Sequence, residues 1–391
     1  MMKNILFVIG KYPNYGGTEK VTTVLANNFT SMGCNVHIAS FEQPHPESRE
    51  ELAPAIKLHY LEYPVSNRKN IEVLAHIIRN SQIDIIFNQW CLPFSTTRMI
   101  NKARKGTDCK LLSVLHGVPD KSKTVILAED AVKAASNGIT KSIAKLKLIV
   151  YHVVIKQSIR YVYKHSDRYI VLSKGFIQAF RDYTGLKHTP KLLSIGNPIT
   201  IPTDFENDYI SGKKKQILYV GRMDMENKRV NRIIEAWEVL YQEYSDWKLV
   251  LVGDGPHKKQ LEKYVKEHGI GSVAFTGFVK EEPTEYYKQS SVLMLTSDLE
   301  GFGLVIVEGM SYGVIPVIYG SYVSVYDIID NSKNGFITSM PYSKEKTVKC
   351  LKALMDDDGK RQEIAGNALQ KSKDYLIENI MKQWYSLFKS L

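Results

Sequence analysis

Residues 291–312 read SVLMLTSDLEGFGLVIVEGMSY, and this stretch decides the fold that we expect for the second half of the chain. Its apolar start, Ser291 to Thr296, is typical of a buried strand, and Val305 to Tyr312 is typical of a helix that ends at Gly313. The glycine-rich turn between them joins a strand to a helix. Such units build parallel sheets that are covered by helices.

The turn also carries two glutamates, Glu300 and Glu308, placed before it and about two helical turns beyond it. Backbone N–H groups at the start of a helix, with the positive end of the helix dipole, form a site for a phosphate. Carboxylates accept hydrogen bonds from sugar hydroxyls. A ligand whose phosphates lie on the turn could therefore meet both carboxylates.

The length and composition of the chain limit the classes of protein to which it can belong. A chain of 391 residues is long enough for two domains. The four cysteines are scattered, without the spacing of a metal site or a disulfide framework, and this favours a reducing cytoplasm. No segment approaches the roughly 20 apolar residues of a spanning helix. We expect a protein that is soluble or peripheral to a membrane.

Short apolar runs alternate with helical patterns in both halves, which predicts two Rossmann-like domains, each a parallel sheet covered by helices. We place the domain boundary between residues 195 and 196, at the start of a stretch rich in Pro, Gly and Asp. Ligands of open parallel sheets bind beyond the carboxyl ends of the strands, so the expected site is the cleft across which the sheets face each other. The expected strands are Asn4–Ile9, Val36–Ser40, Ile83–Asn88, Lys110–His116, Tyr169–Ser173, Gln216–Val220, Lys248–Gly253, Val273–Phe275, Val292–Thr296 and Ile315–Ile318, with a helix at Thr18–Met32.

Charge is divided unequally between the halves. Residues 1–195 contain 27 Lys and Arg against 14 Asp and Glu, a net charge of +13, whereas residues 196–391 contain 25 against 27, a net charge of −2. An anionic partner should therefore meet the N-terminal half.

Two cations follow the first strand expected in the second domain. Arg222 and Lys228 leave the strand end on a loop, where they could hold a diphosphate, since Arg offers a fork of donors and Lys a point charge. The alternative is a solvated basic loop before a helix. The glutamate turn in the same domain favours the diphosphate.

In the first domain, two features lie at strand ends. Gly16 and Gly17 form a turn that a ligand could approach closely, although it is not the dinucleotide pattern Gly-x-Gly-x-x-Gly and could be a plain tight turn. His116 ends a strand before Gly117 and should project into the cleft. Its alternative is a structural histidine.

Two further stretches contain residues that could contact a ligand. The segment Thr276–Lys280 follows a short strand and could edge a base pocket, with Val279 backbone atoms reading the base. The acidic run Asp356–Asp358 is interpreted as a solvated turn, because it lacks the flanking apolar strand of a catalytic metal site. We expect no metal ion and no bound cofactor.

Residues 131–166 contain seven Lys or Arg and no Asp or Glu. Read as one amphipathic basic helix, or two in series, the segment places apolar residues on one face and basic residues on the other. Such helices lie at anionic membrane surfaces, so residues 133–164 are a candidate membrane contact. The alternative is a helix packed on its own domain with an exposed basic face. No aromatic-interleaved basic motif supports a nucleic-acid partner.

Taken together, these residues resemble the retaining glycosyltransferases of family 4, which have the two-domain GT-B fold. The resemblance spans nearly the whole chain, in the order of the family's motifs, and its most specific part is the glutamate pair. The matching motifs are Gly16-Gly17, His116-Gly117, Gly221-Arg222 with Lys228, and Glu300-Gly301-Phe302-Gly303 with Glu308.

The resemblance implies a role for each of these positions, around a nucleotide-diphosphate sugar held mainly by residues 196–371. Glu300 would contact the donor sugar and Glu308 the ribose hydroxyls. His116 would contact the donor sugar near the reacting carbon. Phosphate contacts are implied for Arg222, Lys228, Gly17 and the backbone of Phe302, Gly303 and Leu304. Residues 1–195 would bind the acceptor, and the final helix, residues 372–391, would cross back to that domain.

The resemblance also implies that the anomeric configuration is retained without a metal, by front-face attack in which the leaving phosphate takes the acceptor's proton. One position departs from the family pattern. Arg229 stands where the family commonly has Gly after the lysine, which puts the local helix start in doubt.

The resemblance and the charge division together predict a glycosyltransferase that adds one sugar to a lipid-linked or polysaccharide acceptor of a cell-surface glycan. The expected donor is a uridine diphosphate sugar, the commonest donor of the family. The transferase would act in the cytoplasm, peripheral to the inner face of the cell membrane. Two alternatives stay open: a GT-B sugar-nucleotide epimerase, and a sugar-nucleotide or membrane-binding protein without catalysis.

Overall fold

The computed structural model describes residues 3–206, 208–279 and 282–391. Contacts divide the chain into two units, Met1–Pro198 with Ile380–Leu391, and Ile199–Asn379. Each unit is a parallel sheet covered by helices, which confirms the expected α/β class with two Rossmann-like domains.

The first unit is built on one parallel sheet with strand order β3-β2-β1-β4-β5-β6-β7. Ile5 to Ile9 in its central strand are at most 2% exposed, because helices cover both faces of the sheet. The strands are β1 (Asn4–Lys11), β2 (Asn35–Glu42), β3 (Lys57–Tyr60), β4 (Ile85–Asn88), β5 (Lys110–Leu115), β6 (Arg168–Val171) and β7 (Leu192–Ser194).

Helices of the first unit connect these strands, as parallel pairing requires. They are α1 (Gly17–Ser31), α2 (Arg68–Asn80), α3 (Phe94–Ala103), α4 (Lys123–Ala134), α5 (Gly138–His165) and α6 (Gly175–Thr184), with a 3-10 helix at Pro46–Glu51.

The second unit repeats the arrangement with strand order β10-β9-β8-β11-β12-β13. Its strands are β8 (Lys214–Val220), β9 (Lys248–Val252), β10 (Val273–Gly277), β11 (Ser290–Leu295), β12 (Ile315–Tyr319) and β13 (Phe336–Thr338). Its helices are α7 (Val230–Glu238), α8 (Lys258–Glu267), α9 (Thr284–Gln289), α10 (Leu304–Met310), α11 (Val325–Ile328), α12 (Lys344–Met355) and α13 (Asp358–Ser372), with a 3-10 helix at Lys373–Tyr375.

The C-terminal helix α14 (Ile377–Lys389) enters the core of the first unit from Ile380 onward. The ring of Trp384 packs edge-on against Phe87 of β4, with 4.9 Å between centroids. Phe388 stacks on Phe29 of α1 at 5.6 Å. Full burial of a large apolar side chain stabilises by about 1.5–3 kcal/mol, so these rings tie the end of the chain firmly to that core.

Three short strands were not predicted. The side chains of β3 are partly or fully exposed along its length, and β7 and β13 are each three residues long. Strands of this kind lack the continuous apolar run that marks the central strands. The helix predicted to run to Tyr312 ends at Met310, and Gly313 follows in the left-handed region, with φ 69°.

The basic segment is two helices in series, α4 and α5, with a break at residues 135–137. The break is set by Asn137, whose side chain accepts a hydrogen bond from the backbone N–H of Thr140 at 2.8 Å and so caps α5. Within the residues described, no helix combines the length and the apolar character that crossing a bilayer requires.

Candidate functional site

The loops after β8 and β11 carry most of the predicted site residues of the second unit. The two strands are parallel neighbours, so their carboxyl ends lie at one edge of the sheet, where open α/β sheets bind ligands. Arg222 and Lys228 lie in the first loop and Glu300 in the second. The structure therefore brings these three residues to one edge.

Lys228 and Glu300 are in direct contact. The Lys228 Nζ and Glu300 Oε1 atoms are 2.5 Å apart, and the two side chains are 26% and 15% exposed. An ammonium group has three donors, so this bond leaves two of them for the oxygens of a ligand. The pair places a cation and a carboxylate side by side, as a diphosphate next to a sugar would require.

Hydrogen bonds tie the two loops together along their length. The backbone N–H of Asp298 donates to the carbonyl of Asn227 at 2.8 Å, and the Asn227 side chain donates to the carbonyl of Leu299 at 3.1 Å. The Thr296 hydroxyl donates to the carbonyl of Arg229 at 2.9 Å. The separation of Lys228 and Glu300 is thus held by the backbone on both sides of the pair.

Arg229 resolves the doubt about the start of α7. It adopts φ 51° and ψ 42°, the left-handed conformation that glycine would adopt easily, and the helix begins at Val230. Its Nε donates to Asp298 Oδ2 at 2.5 Å, and Asp298 Oδ1 accepts from Arg232 at 2.6 Å. A left-handed residue with a side chain costs about 1–2 kcal/mol, which the shared carboxylate can offset.

Asp224 shapes the loop that carries the two predicted phosphate ligands. Burial opposes its ionisation, but hydrogen bonds from the backbone N–H groups of Asn227 and Glu226 hold the pKa of Asp224 below its usual range. The Arg222 Nε atom lies 3.8 Å from Asp224 Oδ2, and the Arg222 side chain is 60% exposed. The aspartate therefore organises the loop, while the guanidinium stays accessible to a ligand.

The predicted phosphate turn is built around Gly303. This residue has φ 89°, and a Cβ here would lie 2.8 Å from the Ile306 side chain, so the turn favours glycine. Phe302 is 5% exposed and its ring contacts Tyr375 at 5.6 Å between centroids. The buried ring fixes the backbone of the turn, from which Leu304 starts α10.

Glu308 lies in α10 and is 6% exposed. Its carboxylate accepts hydrogen bonds from the hydroxyls of Thr200 at 2.5 Å and Tyr287 at 3.2 Å. Burial, and then the charge of Glu308, raise the pKa of Tyr287 well above its usual value, so this hydroxyl remains a donor. Each of the two carboxylate oxygens of Glu308 thus accepts a hydrogen bond from a hydroxyl group.

Val279 is half-buried and lies just beyond the carboxyl end of β10, the edge strand of the second sheet. It therefore lies with the β8 and β11 loops at the carboxyl ends of the parallel strands. Lys280, the last residue of the predicted base-pocket segment, lies outside the described residues.

His116 lies in the first unit, directly after β5. Its Nε2 is 2.5 Å from Gln89 Oε1, which accepts, so Nδ1 is left as an acceptor on the other side of the ring. Burial lowers the pKa of His116 to about 4. The imidazole is therefore neutral and oriented at neutral pH.

Gly16 and Gly17 lie between β1 and α1, with Gly17 as the first helical residue. A Cβ on Gly16 would fall 2.2 Å from the carboxylate of Glu19, a side chain in the first turn of α1. Burial raises the pKa of this carboxyl. An anionic ligand at the glycine turn would therefore meet Glu19 as a neighbour.

Sequence reasoning did not identify the residues that support the site: Asp224, Asn227, Asp298, Thr200 and Tyr287. Each acts through a contact that no local motif marks. Over residues 3–206, 208–279 and 282–391, no three His, Cys, Asp or Glu side chains form a group that could hold a metal ion.

Two family models match consecutive parts of the chain. Glycosyltransferase Family 4 matches residues 15–199, and Glycosyl transferases group 1 matches residues 200–371. The two matches meet next to the division between the structural units, after Pro198. The chain therefore belongs to the glycosyltransferases with the GT-B fold, as its sequence motifs indicated.

Full-length relatives support this assignment. An uncharacterized glycosyltransferase of Haemophilus influenzae and the amylovoran biosynthesis glycosyltransferase AmsD of Erwinia amylovora are each 24% identical over 98% of this chain and 99% of their own. A Campylobacter jejuni N-acetyl-D-galactosaminyltransferase, named for an acceptor linked to PP-undecaprenol, is 29% identical over 49% of this chain and 52% of its own.

Among solved structures, Anabaena HepE in complex with UDP and glucose matches with a TM-score of 0.73 and 17% identity over 100% of both chains. The chain is thus similar along its whole length to a GT-B structure.

Proposed function

We propose that this chain is a retaining, metal-independent glycosyltransferase that moves a sugar from a uridine diphosphate sugar to a lipid-linked or polysaccharide acceptor in the synthesis of a cell-surface glycan. The observation that carries the proposal is the contact of Lys228 with Glu300 at the carboxyl edge of the second sheet. It joins a phosphate-binding cation to a sugar-binding carboxylate on two loops that are tied together.

In the proposed donor complex, Arg222 and Lys228 bind the diphosphate and Glu300 binds the sugar. Glu308 accepts from the ribose hydroxyls. The remaining contacts are backbone contacts, to phosphate from Gly17 beside Gly16 and from Phe302, Gly303 and Leu304, and to the base from Val279. The UDP in the Anabaena HepE complex supports the choice of nucleotide.

The proposed reaction breaks the bond between the sugar's anomeric carbon and the phosphate oxygen, and forms a bond from that carbon to the acceptor oxygen on the same face. The acceptor's proton goes to the leaving phosphate. Arg222 and Lys228 stabilise the negative charge that develops there. His116, neutral through its low pKa, contacts the donor sugar near the reacting carbon.

The proposed acceptor carries a lipid or belongs to a polysaccharide. The name of the C. jejuni relative specifies a PP-undecaprenol acceptor, and that of AmsD specifies amylovoran biosynthesis. The +13 charge of residues 1–195 suits an anionic diphospholipid. We place the enzyme at the cytoplasmic face of the membrane, in contact with anionic lipid through residues 133–164.

A thermal-shift screen of sugar nucleotides tests the donor. A ligand that binds only the folded state raises its stability by mass action, so the correct donor should raise Tm, and uridine diphosphate sugars are expected to do so. A shift with dinucleotides alone would refute the proposed donor class.

A transfer assay with that donor then tests the chemistry. Glu300→Ala should abolish transfer while keeping most of the nucleotide-induced shift. Glu363→Ala, which changes an exposed glutamate of α13 in the same unit, is the matched control and should match wild type. An α-linked product from an α-linked donor, formed at the same rate with a chelator present, would support retention without a metal. Conversion of the donor to an epimer without acceptor would instead identify the epimerase alternative.

A further inference from the structure

The exposed side of α5 is apolar. Ile139, Leu146, Val150 and Val153 are 77%, 63%, 49% and 53% exposed, and the 100° step of a helix places them on one side. Lys141 and Lys145 on the opposite side are exposed too, and α5 packs on the domain further along, where Ile159 is 1% exposed. Packing on the domain, the alternative to a membrane contact, therefore describes the last turns of α5, whereas the apolar face is exposed from residue 139 to residue 154. A continuous apolar surface of this kind marks an interaction site.

Beside this face, α4 and α5 form a groove of 730 Å³ that is open to solvent. Ligand pockets are typically about 300–1,000 Å³. Small side chains leave the space unfilled, among them Ala131 from α4 and Ala144 from α5, while Leu127 and Ile143 supply apolar walls. The groove is thus mainly apolar and bounded by two helices of one unit.

Charge around the groove has one sign. Of the described residues that line it, Lys147 is charged and none is acidic. The carboxylates of α4, Glu129 and Asp130, do not line it, and Asp130 pairs with Lys133 at 3.2 Å. Residues 131–166, which include Lys147, contain seven Lys or Arg and no Asp or Glu. The surface therefore complements an anionic molecule that has an apolar body.

We infer that this groove binds a hydrocarbon chain of the lipid-linked acceptor, with Lys147 beside the phosphate at its head. The inference rests on the proposed function, in which the acceptor carries a lipid. A second copy of this chain is a poorer occupant, because it would bring the same basic segment against itself. Residues 117–122 join His116 to α4, so the loop after the predicted catalytic histidine leads to a helix that lines the groove from Thr124 onward.

Decyl phosphate, used below its micelle concentration and without any sugar nucleotide, probes the groove by titration calorimetry. The full chain should bind it with a defined stoichiometry and should not bind inorganic phosphate. Ala144→Phe should weaken binding by about tenfold or more, because the ring fills the groove. Ala131→Phe, which fills the groove from an exposed position on α4, is the second variant in case the first does not fold.

Met32→Ser is the matched control, since Met32 is an apolar residue of the same unit that is 53% exposed and does not line the groove. It should bind decyl phosphate as wild type does. Lys147→Gln should weaken the binding of decyl phosphate by about tenfold, because it removes one charge-assisted hydrogen bond. The binding of decyl maltoside, which is uncharged, should not change.

Several results would overturn the inference. They are wild-type binding by both folded phenylalanine variants, an equal loss in Met32→Ser, or a dimer in sedimentation that Ala144→Phe dissociates and that does not bind decyl phosphate. Failure of the proposed function looks different. In that case no sugar nucleotide would raise Tm, whereas the binding of decyl phosphate would persist.

Discussion

Charged side chains are arranged differently in two regions of the molecule. These regions are the β8 and β11 loops of the second unit and the α4–α5 pair of the first unit. In the loops, charged side chains are partly buried and paired at 2.5–2.6 Å, as in Lys228 with Glu300 and Arg229 with Asp298. On α5, apolar side chains such as Leu146 face solvent, and Lys141 and Lys145 are exposed on the other side of the helix. The loops hold their charged groups in fixed positions, whereas α5 presents only an arrangement of apolar and basic side chains on its surface.

The difference follows from the ligand that each region would meet. Transfer chemistry needs groups held close to their productive geometry, and paired charges with backbone hydrogen bonds supply that order before the ligand arrives. A lipid has no fixed shape, so an apolar face with flanking cations is enough to bind it. A conservative change should therefore be costly in the loops, while on α5 a change should matter only if it alters the charge or fills the groove.

The largest expected effect comes from Asp298→Asn. The substitution keeps the shape of the side chain but removes the charge that Arg229 and Arg232 share. The loops should then lose their register, and kcat for transfer should fall about 10²- to 10³-fold, as displacements of a positioned group do. Asp246→Asn, which breaks an exposed pair with Lys215, is the control and should leave kcat unchanged. Equal activity of both variants would show that the loops are not held by this pair.

On α5, neutralising Lys141, Lys145 and Lys156 to Gln should reduce co-sedimentation with anionic vesicles. Each lysine near such a surface contributes about 1 kcal/mol, so the vesicle partition coefficient should fall by tenfold to about a hundredfold, and added salt should mask the difference. The matched control neutralises three exposed lysines of α8, Lys259, Lys263 and Lys266, and changes the net charge equally. The same loss in both triple variants would indicate a general charge effect and would remove α5 as the contact.

The same contrast explains how much the sequence could predict. The central strands were predicted because burial on both faces makes them continuously apolar, as in β1. Lys228 and Glu300 were found because they follow such strands. The amphipathic pattern of α5 was also visible, since it depends only on helical spacing.

What the sequence did not show is the support around those residues. Asp298 and Arg229 are 69 positions apart, and Thr200 and Glu308 are 108 apart. Contacts at these separations exist only after the sheet has formed, and nothing in the neighbouring residues marks them. The sequence could not settle which face of α5 packs either, because that depends on the surface beneath it.

A smaller effect tests the left-handed conformation of Arg229. Glycine adopts this conformation without strain, so Arg229→Gly should be about 1–2 kcal/mol more stable to denaturant than Arg229→Ala. At Gln260, an exposed position inside α8, the order should reverse, with Ala more stable than Gly by about 1 kcal/mol. If Ala exceeded Gly at both positions, the helix start would not depend on a left-handed residue, and the order of the loops would have another source.

The smallest effect concerns His116, which is the ordered part of the site in the first unit. Burial lowers the pKa of His116 to about 4, whereas the unfolded chain binds this proton near 6.5. The unfolded state therefore gains a proton first as pH falls, and stability is lost from about pH 6.5 down to pH 4. Relative to His116→Gln, wild type should lose roughly 0.8 kcal/mol between pH 8 and pH 6, as measured by denaturant unfolding at both values. At pH 8 both side chains are neutral, so each variant serves as its own control, and other histidines cancel in the comparison. If the unfolding free energies of wild type and His116→Gln changed in parallel with pH, His116 would have the same pKa in the folded and unfolded states. The first unit would then not hold a neutral imidazole in the way that the second unit holds its ion pairs.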